Sequence, residues 1–105
     1  MILNLTPHTI RVLDEDGNCL ATFPEGGAPI RLHATKVECE PIDGIPTVKT
    51  VFGKAKYLPQ FQRDTFYIVS QLVKNRYPER EDLLVPVDVL KDYRGMSIGC
   101  RALGR

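Results

Sequence analysis

The sequence predicts an α+β fold, mainly an antiparallel β-sheet with one short helix after a central strand and a C-terminal β-hairpin. Three observations support this prediction: strand-like segments dominate the chain, one of them runs straight into a short helical segment, and a turn separates two strand candidates near the C-terminus. The 105 residues suit a single domain over 1–105, which at this size buries about two-thirds of the surface that the unfolded chain exposes.

The first strand pair is expected near the N-terminus. Residues 10–13 and 19–23 flank Asp16-Gly17, a dipeptide that favours the positive φ angles of a tight hairpin turn. Two prolines and two glycines then make 24–29 a connecting loop.

A second antiparallel pair is expected to follow this loop. Residues 30–39 alternate between apolar and polar side chains, which predicts a half-buried strand. Residues 42–52 are the partner strand, interrupted by Asp43-Gly44, and Gly53 begins the next turn.

The C-terminal half contains the central strand, the helix and the closing hairpin. Residues 65–69 are rich in β-branched and aromatic side chains, which predicts a central strand. Ser70 can cap the first amides of a helix over 71–77, which Pro78 ends. The remaining strand candidates are 83–85, 87–90 and 96–103, with a turn at 91–95 before the last of them.

Charge and hydropathy exclude several classes of partner. The 14 basic and 13 acidic residues give a net charge of +1, so DNA or RNA binding is not expected. The longest apolar runs are about five residues, against roughly 20 needed to cross a bilayer. The N-terminus has no basic region followed by an apolar run, so it is not a secretion signal. A cytoplasmic protein without a membrane partner is therefore expected.

The cysteines and histidines show no metal-site pattern. Cys19, Cys39 and Cys100 lie far apart, and no cysteine–histidine pair is closer than the six positions that separate Cys39 from His33, whereas zinc ligands come at shorter spacings. The odd number of cysteines favours reduced thiols packed in a core. Neither a metal nor a cofactor is expected, and no catalytic group or phosphate-binding glycine loop stands out.

Arginines beside aromatic residues are the pattern that remains. Arg31 lies on the polar face of its strand, Arg80 follows the helix, Tyr93-Arg94 is in the last turn, and Phe66-Tyr67 is in the central strand. Guanidinium groups bind phosphate through two hydrogen bonds and aromatic rings stack on bases. The pattern therefore suits a nucleotide-like ligand, although it is also ordinary surface composition.

Three short motifs resemble a recurrent set of small proteins encoded by bacteriophages and prophages. They are Asn4-Leu5-Thr6-Pro7-His8, Tyr67-Ile68-Val69-Ser70 and Ile98-Gly99-Cys100, and the similarity runs over nearly the whole chain. Within that set the chain resembles the phage anti-Thoeris sponges, homo-oligomeric proteins that sequester cyclic ADP-ribose signals of a bacterial immune system without degrading them. The resemblance implies a phage accessory protein of the infected host's cytoplasm that forms homo-oligomers and binds a nucleotide-derived small molecule.

The resemblance also implies roles for candidate ligand-binding residues. A base would stack on Phe66 or Tyr67, an arginine would neutralise the pyrophosphate, and an asparagine would read a sugar or base edge. Structural roles stay open, because Asn4 and Thr6 could fix a turn and Tyr67 could be a core aromatic. The complete candidate set is Asn4, His8, Arg31, Phe66, Tyr67, Asn75, Arg80 and Arg94.

Two other functions remain open from the sequence. One is a protein-binding inhibitor of a host defence enzyme, which would dock through an exposed strand edge or the surface of residues 83–90. The other is a small hydrolase acting on a nucleotide, for which Asp82, His8 and Cys100 are the groups to test.

Overall fold

The computed structural model describes residues 1–26 and 30–105, and in them eight strands of 3 to 12 residues accompany one short helix. In chain order these elements are β1 (Ile2–Asn4), β2 (Ile10–Leu13), β3 (Cys19–Phe23), β4 (Arg31–Ile42), β5 (Ile45–Lys56), β6 (Phe66–Ile68), α1 (Gln71–Arg76), β7 (Leu83–Lys91) and β8 (Ser97–Gly104). The α+β fold class, the helix after a central strand and the C-terminal β7–β8 hairpin are confirmed.

Six strands form one sheet, and the other two form a separate hairpin. The order in the sheet is β1-β6-β7-β8-β2-β3, while β4 pairs only with β5 among the described residues. The pairs β2–β3, β4–β5 and β7–β8 are antiparallel, and the shorter pairs β1–β6, β6–β7 and β2–β8 are parallel. Most paired residues therefore belong to antiparallel strands, as expected.

Helix α1 connects two neighbouring parallel strands, β6 and β7. Its first turn is capped as expected, because Ser70 Oγ accepts a hydrogen bond from the Val73 amide at 3.3 Å. Val73 is the buried residue of the helix, and it packs in the core with residues of β6, β7 and the segment that follows β6. These are Tyr67, Val69, Leu83 and Val85. None of the described residues belongs to a helix long and apolar enough to cross a membrane.

Strands β1 and β7 differ from the sequence-based expectation. Residues 2–4 pair in parallel with β6, a contact between distant parts of the chain that local composition does not predict. The candidates 83–85 and 87–90 are one strand, which runs through Pro86 opposite Leu103.

The β4–β5 hairpin, called the hairpin arm below, also differs from expectation. Asp43 and Gly44 have φ angles of 51° and 76°, typical of a two-residue hairpin turn, so they join two strands instead of interrupting one. Gly53 lies inside β5 at a shift in register and begins no turn. Apart from Leu32, the residues of β4 are exposed, so the prediction that one face of this strand is buried was wrong.

The arm makes the molecule extended. The Cα radius of gyration is 16.8 Å, against about 13 Å for a compact chain of this length. The base of the arm rests on the body of the protein: Leu32 of β4 packs against the core, and the Ala55 amide of β5 donates a hydrogen bond at 2.8 Å to the hydroxyl of Tyr77, which follows α1.

The loop expected at 24–29 lies partly outside the described residues, which omit 27–29. Gly26 packs directly on the N-terminal segment, because a Cβ atom there would overlap the carbonyl of Asn4. Glycine at this position therefore allows close approach of two backbone segments.

Candidate functional site

The Asn4-to-His8 segment is a turn held by the Asn4 side chain. Asn4 is buried, and its Nδ2 donates hydrogen bonds to the carbonyls of His8 at 2.7 Å and Phe23 at 3.0 Å. Its Oδ1 accepts from the Thr6 amide at 3.0 Å and the Thr6 hydroxyl at 2.7 Å. Both the oxygen and the nitrogen of this amide are thus hydrogen-bonded within the protein. Asn4 therefore has the structural role, holding a turn, that the sequence left open as the alternative to ligand binding.

Arg80 is committed to a buried carboxylate. Its Nε and Nη2 donate to the two oxygens of Asp82 at 2.8 and 2.7 Å, and Nη2 also donates to the Pro59 carbonyl at 3.0 Å. Asp82 is 2% exposed. The hydrogen bonds from Arg80 lower the pKa of Asp82 despite the opposing effect of burial. The pair therefore anchors the segment between α1 and β7.

The candidate aromatic rings lie in different environments. Tyr67 belongs to the core and is 2% exposed. Phe66 is half-buried, and the guanidinium carbon of Arg105 lies 5.4 Å from its ring centroid. The core position of Tyr67 leaves no open ring face for a base to stack on.

The candidate arginines lie on separate elements. Arg31 is exposed at the base of the arm opposite Lys56. Arg94 is in the β7–β8 turn, where its Nε donates to the Tyr93 hydroxyl at 3.0 Å. The third, Arg80, is held by Asp82. Among the candidates, Asn75 and His8 line two different grooves.

His8 lines an open groove along β2 and β8, called the Cys100 groove. The groove has a volume of about 780 Å³ and is also lined by Arg11, Met96, Ile98 and Cys100. Burial raises the pKa of the Cys100 thiol, whose Sγ donates to the Arg11 carbonyl at 3.5 Å. A cysteine nucleophile requires a lowered pKa, so this environment does not activate Cys100.

The other features considered for chemistry are also dispersed. Asp82 is held by Arg80 and does not line the Cys100 groove. Cys19 and Cys39 are exposed, whereas Cys100 is buried. The prediction that the cysteines pack in the core is therefore confirmed for Cys100 and wrong for the other two. In residues 1–26 and 30–105, no group of three or more potential metal ligands is close enough to bind an ion.

The residues 83–85 are unavailable as a docking surface. Leu83, Leu84 and Val85 are buried because β7 lies between β6 and β8 in the sheet. A partner could reach only the distal part of this strand, where Val89 is exposed.

A second open groove runs between α1 and the ends of β7 and β8, and it is called the helix groove. Its volume is about 990 Å³, at the upper end of the range for small-molecule sites. Valine side chains of β7 and the backbone of Gly104 contribute apolar surface. The lining residues are Gln71, Lys74, Asn75, Pro78, Glu81, Val85, Val87, Gly104 and Arg105.

Two amides one helical turn apart form the polar wall of the helix groove. Gln71 Nε2 donates to Asn75 Oδ1 at 2.8 Å, an i,i+4 hydrogen bond between two exposed amides on one face of α1. Gln71 Oε1 and Asn75 Nδ2 have no hydrogen-bond partner within the described residues. The pair therefore leaves one acceptor and one donor available, the kinds of group that a nucleobase edge binds.

Charged side chains of both signs line the helix groove. Lys74 and Arg105 supply cationic groups and Glu81 supplies a carboxylate. Lys74 Nζ donates to the Arg80 carbonyl at 2.8 Å, which holds its ammonium group near the end of α1. The groove therefore combines cations, amides and apolar surface, as an anionic ligand with an aromatic base requires.

Sequence reasoning found one residue of this groove, Asn75, and missed Gln71, Lys74 and Arg105. The spacing of Gln71 and Asn75 was a usable signal, since residues i and i+4 of a helix share a face.

Comparison of the chain with protein-family models, curated proteins and solved structures found no match.

Proposed function

We propose that this chain is a binding protein that retains a nucleotide-derived anion of the cyclic ADP-ribose type in the helix groove without degrading it. The observation that supports the proposal most is the amide pair Gln71–Asn75, whose free acceptor and donor lie beside Lys74 at the wall of a groove of about 990 Å³. The proposed setting, implied by the resemblance to phage sponges, is a phage accessory protein in the cytoplasm of an infected bacterium.

Each part of the ligand has a complementary part of the groove. The base edge meets Gln71 Oε1 and Asn75 Nδ2, and its apolar face packs over the half-buried Val87. Lys74 supplies positive charge to the pyrophosphate. A ligand of about 35 heavy atoms at roughly 0.3 kcal/mol per atom gains about 10 kcal/mol, which corresponds to a dissociation constant of tens of nM.

Ligand retention tests the proposal. The purified chain is incubated with cyclic ADP-ribose, linear ADP-ribose or AMP, desalted, and then heated to release what it holds for chromatography. We expect intact cyclic ADP-ribose in the heated supernatant. A protein fraction that releases none of these compounds contradicts the proposal, and a chemically altered product assigns an enzyme instead.

Substitution of Asn75 locates the bound ligand. Asn75→Ala removes one neutral hydrogen bond to the base and is expected to weaken binding about tenfold by calorimetry. Gln62→Ala is the matched control, since Gln62 is an exposed amide outside the groove. Equal affinities of both variants would place the ligand elsewhere.

A further inference from the structure

The outer edge of the hairpin arm at β4 is unpaired over twelve residues in the described part of the chain. The outer edge of β5 is partly occupied, because Arg76 Nε donates to the Gly53 carbonyl at 3.0 Å and the Ala55 amide donates to Tyr77. A two-stranded ribbon in water is only marginally stable, and a long free edge invites another strand. The edge of β4 is therefore the place where the arm lacks a neighbour.

We propose that β4 pairs antiparallel with β4 of a second copy of this chain, about a two-fold axis at Val37, to form a four-stranded ribbon. Pairing centred on Val37 sets Lys36 opposite Glu38 of the second copy, and the symmetry repeats this contact. Opposite charges directly across an antiparallel pair are stabilising, whereas like charges are destabilising. The strand is thus complementary to itself in this register.

Neighbouring registers and the other edge are less favourable. A two-fold axis at Lys36 sets two lysines opposite each other, and an axis at Glu38 sets two glutamates opposite each other. In β5 the charged residues are all lysines, at positions 49, 54 and 56, so pairing of two β5 edges brings together like charges. Charge therefore favours the register centred on Val37 over its two neighbours, and it favours β4 over β5.

The opposite face of the ribbon gains an apolar surface. Val37 would meet Val37 of the second copy, and Thr35 would lie opposite Cys39. Within the arm, Val51 lies opposite Thr35 and Lys49 lies opposite Val37 on this same face, and both valines are exposed in the single chain. Pairing of the two copies would bury the Val37 side chains against each other, and a four-stranded sheet is more stable than a two-stranded ribbon.

Charge substitutions test the register. The wild-type chain is expected to sediment as a dimer at high micromolar concentration, and Lys36→Glu or Glu38→Lys should each raise the dimer dissociation constant about tenfold. The double variant K36E/E38K restores opposite charges across the axis and should dimerise as the wild type does. Lys54→Glu makes the same charge change on β5 near the base of the arm, where this strand pairs with residues 32–34 and not with Val37, and is the control.

A monomeric wild-type chain would overturn the proposal. So would a double variant that is as weak as either single variant, because the contact would then not be reciprocal.

An engineered disulfide provides an independent readout. Thr35→Cys places a thiol opposite the native Cys39 of the second copy, at a Cα separation of about 4.5 to 5.5 Å that a disulfide can bridge. Mild oxidation should then give a covalent dimer on a non-reducing gel. Thr50→Cys, on β5 and on the other face, should yield no more covalent dimer than the oxidised wild type. The pairing is refuted if Thr35→Cys also yields no more than the wild type.

Discussion

Asp82→Asn is expected to lower the free energy of unfolding by about 3 kcal/mol, the lower end of the range for breaking a buried ion pair. The carboxylate is buried and receives two hydrogen bonds from Arg80, and the variant leaves the guanidinium without its counter-charge. The loss stays near the lower end because the Arg80 side chain is 20% exposed and keeps some contact with water. Urea unfolding monitored by circular dichroism measures the change.

The matched control for Asp82 is Glu81→Gln. Glu81 is the exposed neighbouring carboxylate, so the change in stability should stay within about 0.5 kcal/mol. If the two variants unfold at the same urea concentration, the ion pair does not anchor the α1–β7 segment.

The stability difference between wild type and Asp82→Asn should also depend on pH. Arg80 holds the pKa of Asp82 below its ordinary value, so the stabilisation is fully present above the unfolded-state pKa of about 4 and is lost as pH falls through the lowered folded-state pKa. The difference in unfolding free energy should therefore narrow on acidification below about pH 4. A constant difference would mean that the charge of Asp82 is not responsible.

Asn4→Ala is expected to cost about 2 to 3 kcal/mol of unfolding free energy, since buried polar groups lose their partners. Its Nδ2 bridges the carbonyls of His8 and Phe23, and so joins the turn after β1 to the end of β3. Asn4→Asp should be at least as destabilising, because a carboxylate oxygen would then face those two carbonyls. Thermal or urea unfolding of both variants measures the effect.

Asn18→Ala is the control for the Asn4 variants. The Asn18 side chain is exposed, and only its backbone amide donates to Asp14 Oδ1 at 2.8 Å, a bond that alanine keeps. If Asn4→Asp is as stable as the wild type, Asn4 does not bridge these two segments, and it becomes a candidate for ligand binding again.

Local chemistry accounts for the parts of the fold that the sequence predicted well. The β2–β3 hairpin has its expected bounds, because the turn between its strands is determined by nearby residues: Gly17 has a φ of 83° and Asp14 Oδ1 accepts two backbone amides. The cap at Ser70 is equally local. By contrast, the pairing of β1 with β6 depends on residues far apart in sequence.

The candidate site was harder to predict because side-chain availability depends on tertiary packing. Phe66 and Tyr67 are adjacent in sequence, yet Tyr67 is in the core and Phe66 is half-buried. The Arg80 guanidinium is a group that often binds phosphate, but Asp82, two residues away, forms a salt bridge with it. Composition shows which groups exist, and only the fold shows which of them still lack a partner.

The position of bound ligand is the most direct test of the central claim, and amide chemical shifts of the isotope-labelled chain during titration with cyclic ADP-ribose measure it. The account predicts the largest shifts at the side-chain amides of Gln71 and Asn75 and at the backbone of Val87 and Gly104. Shifts confined to the surroundings of His8 and Cys100, or no shifts at millimolar ligand, would contradict it.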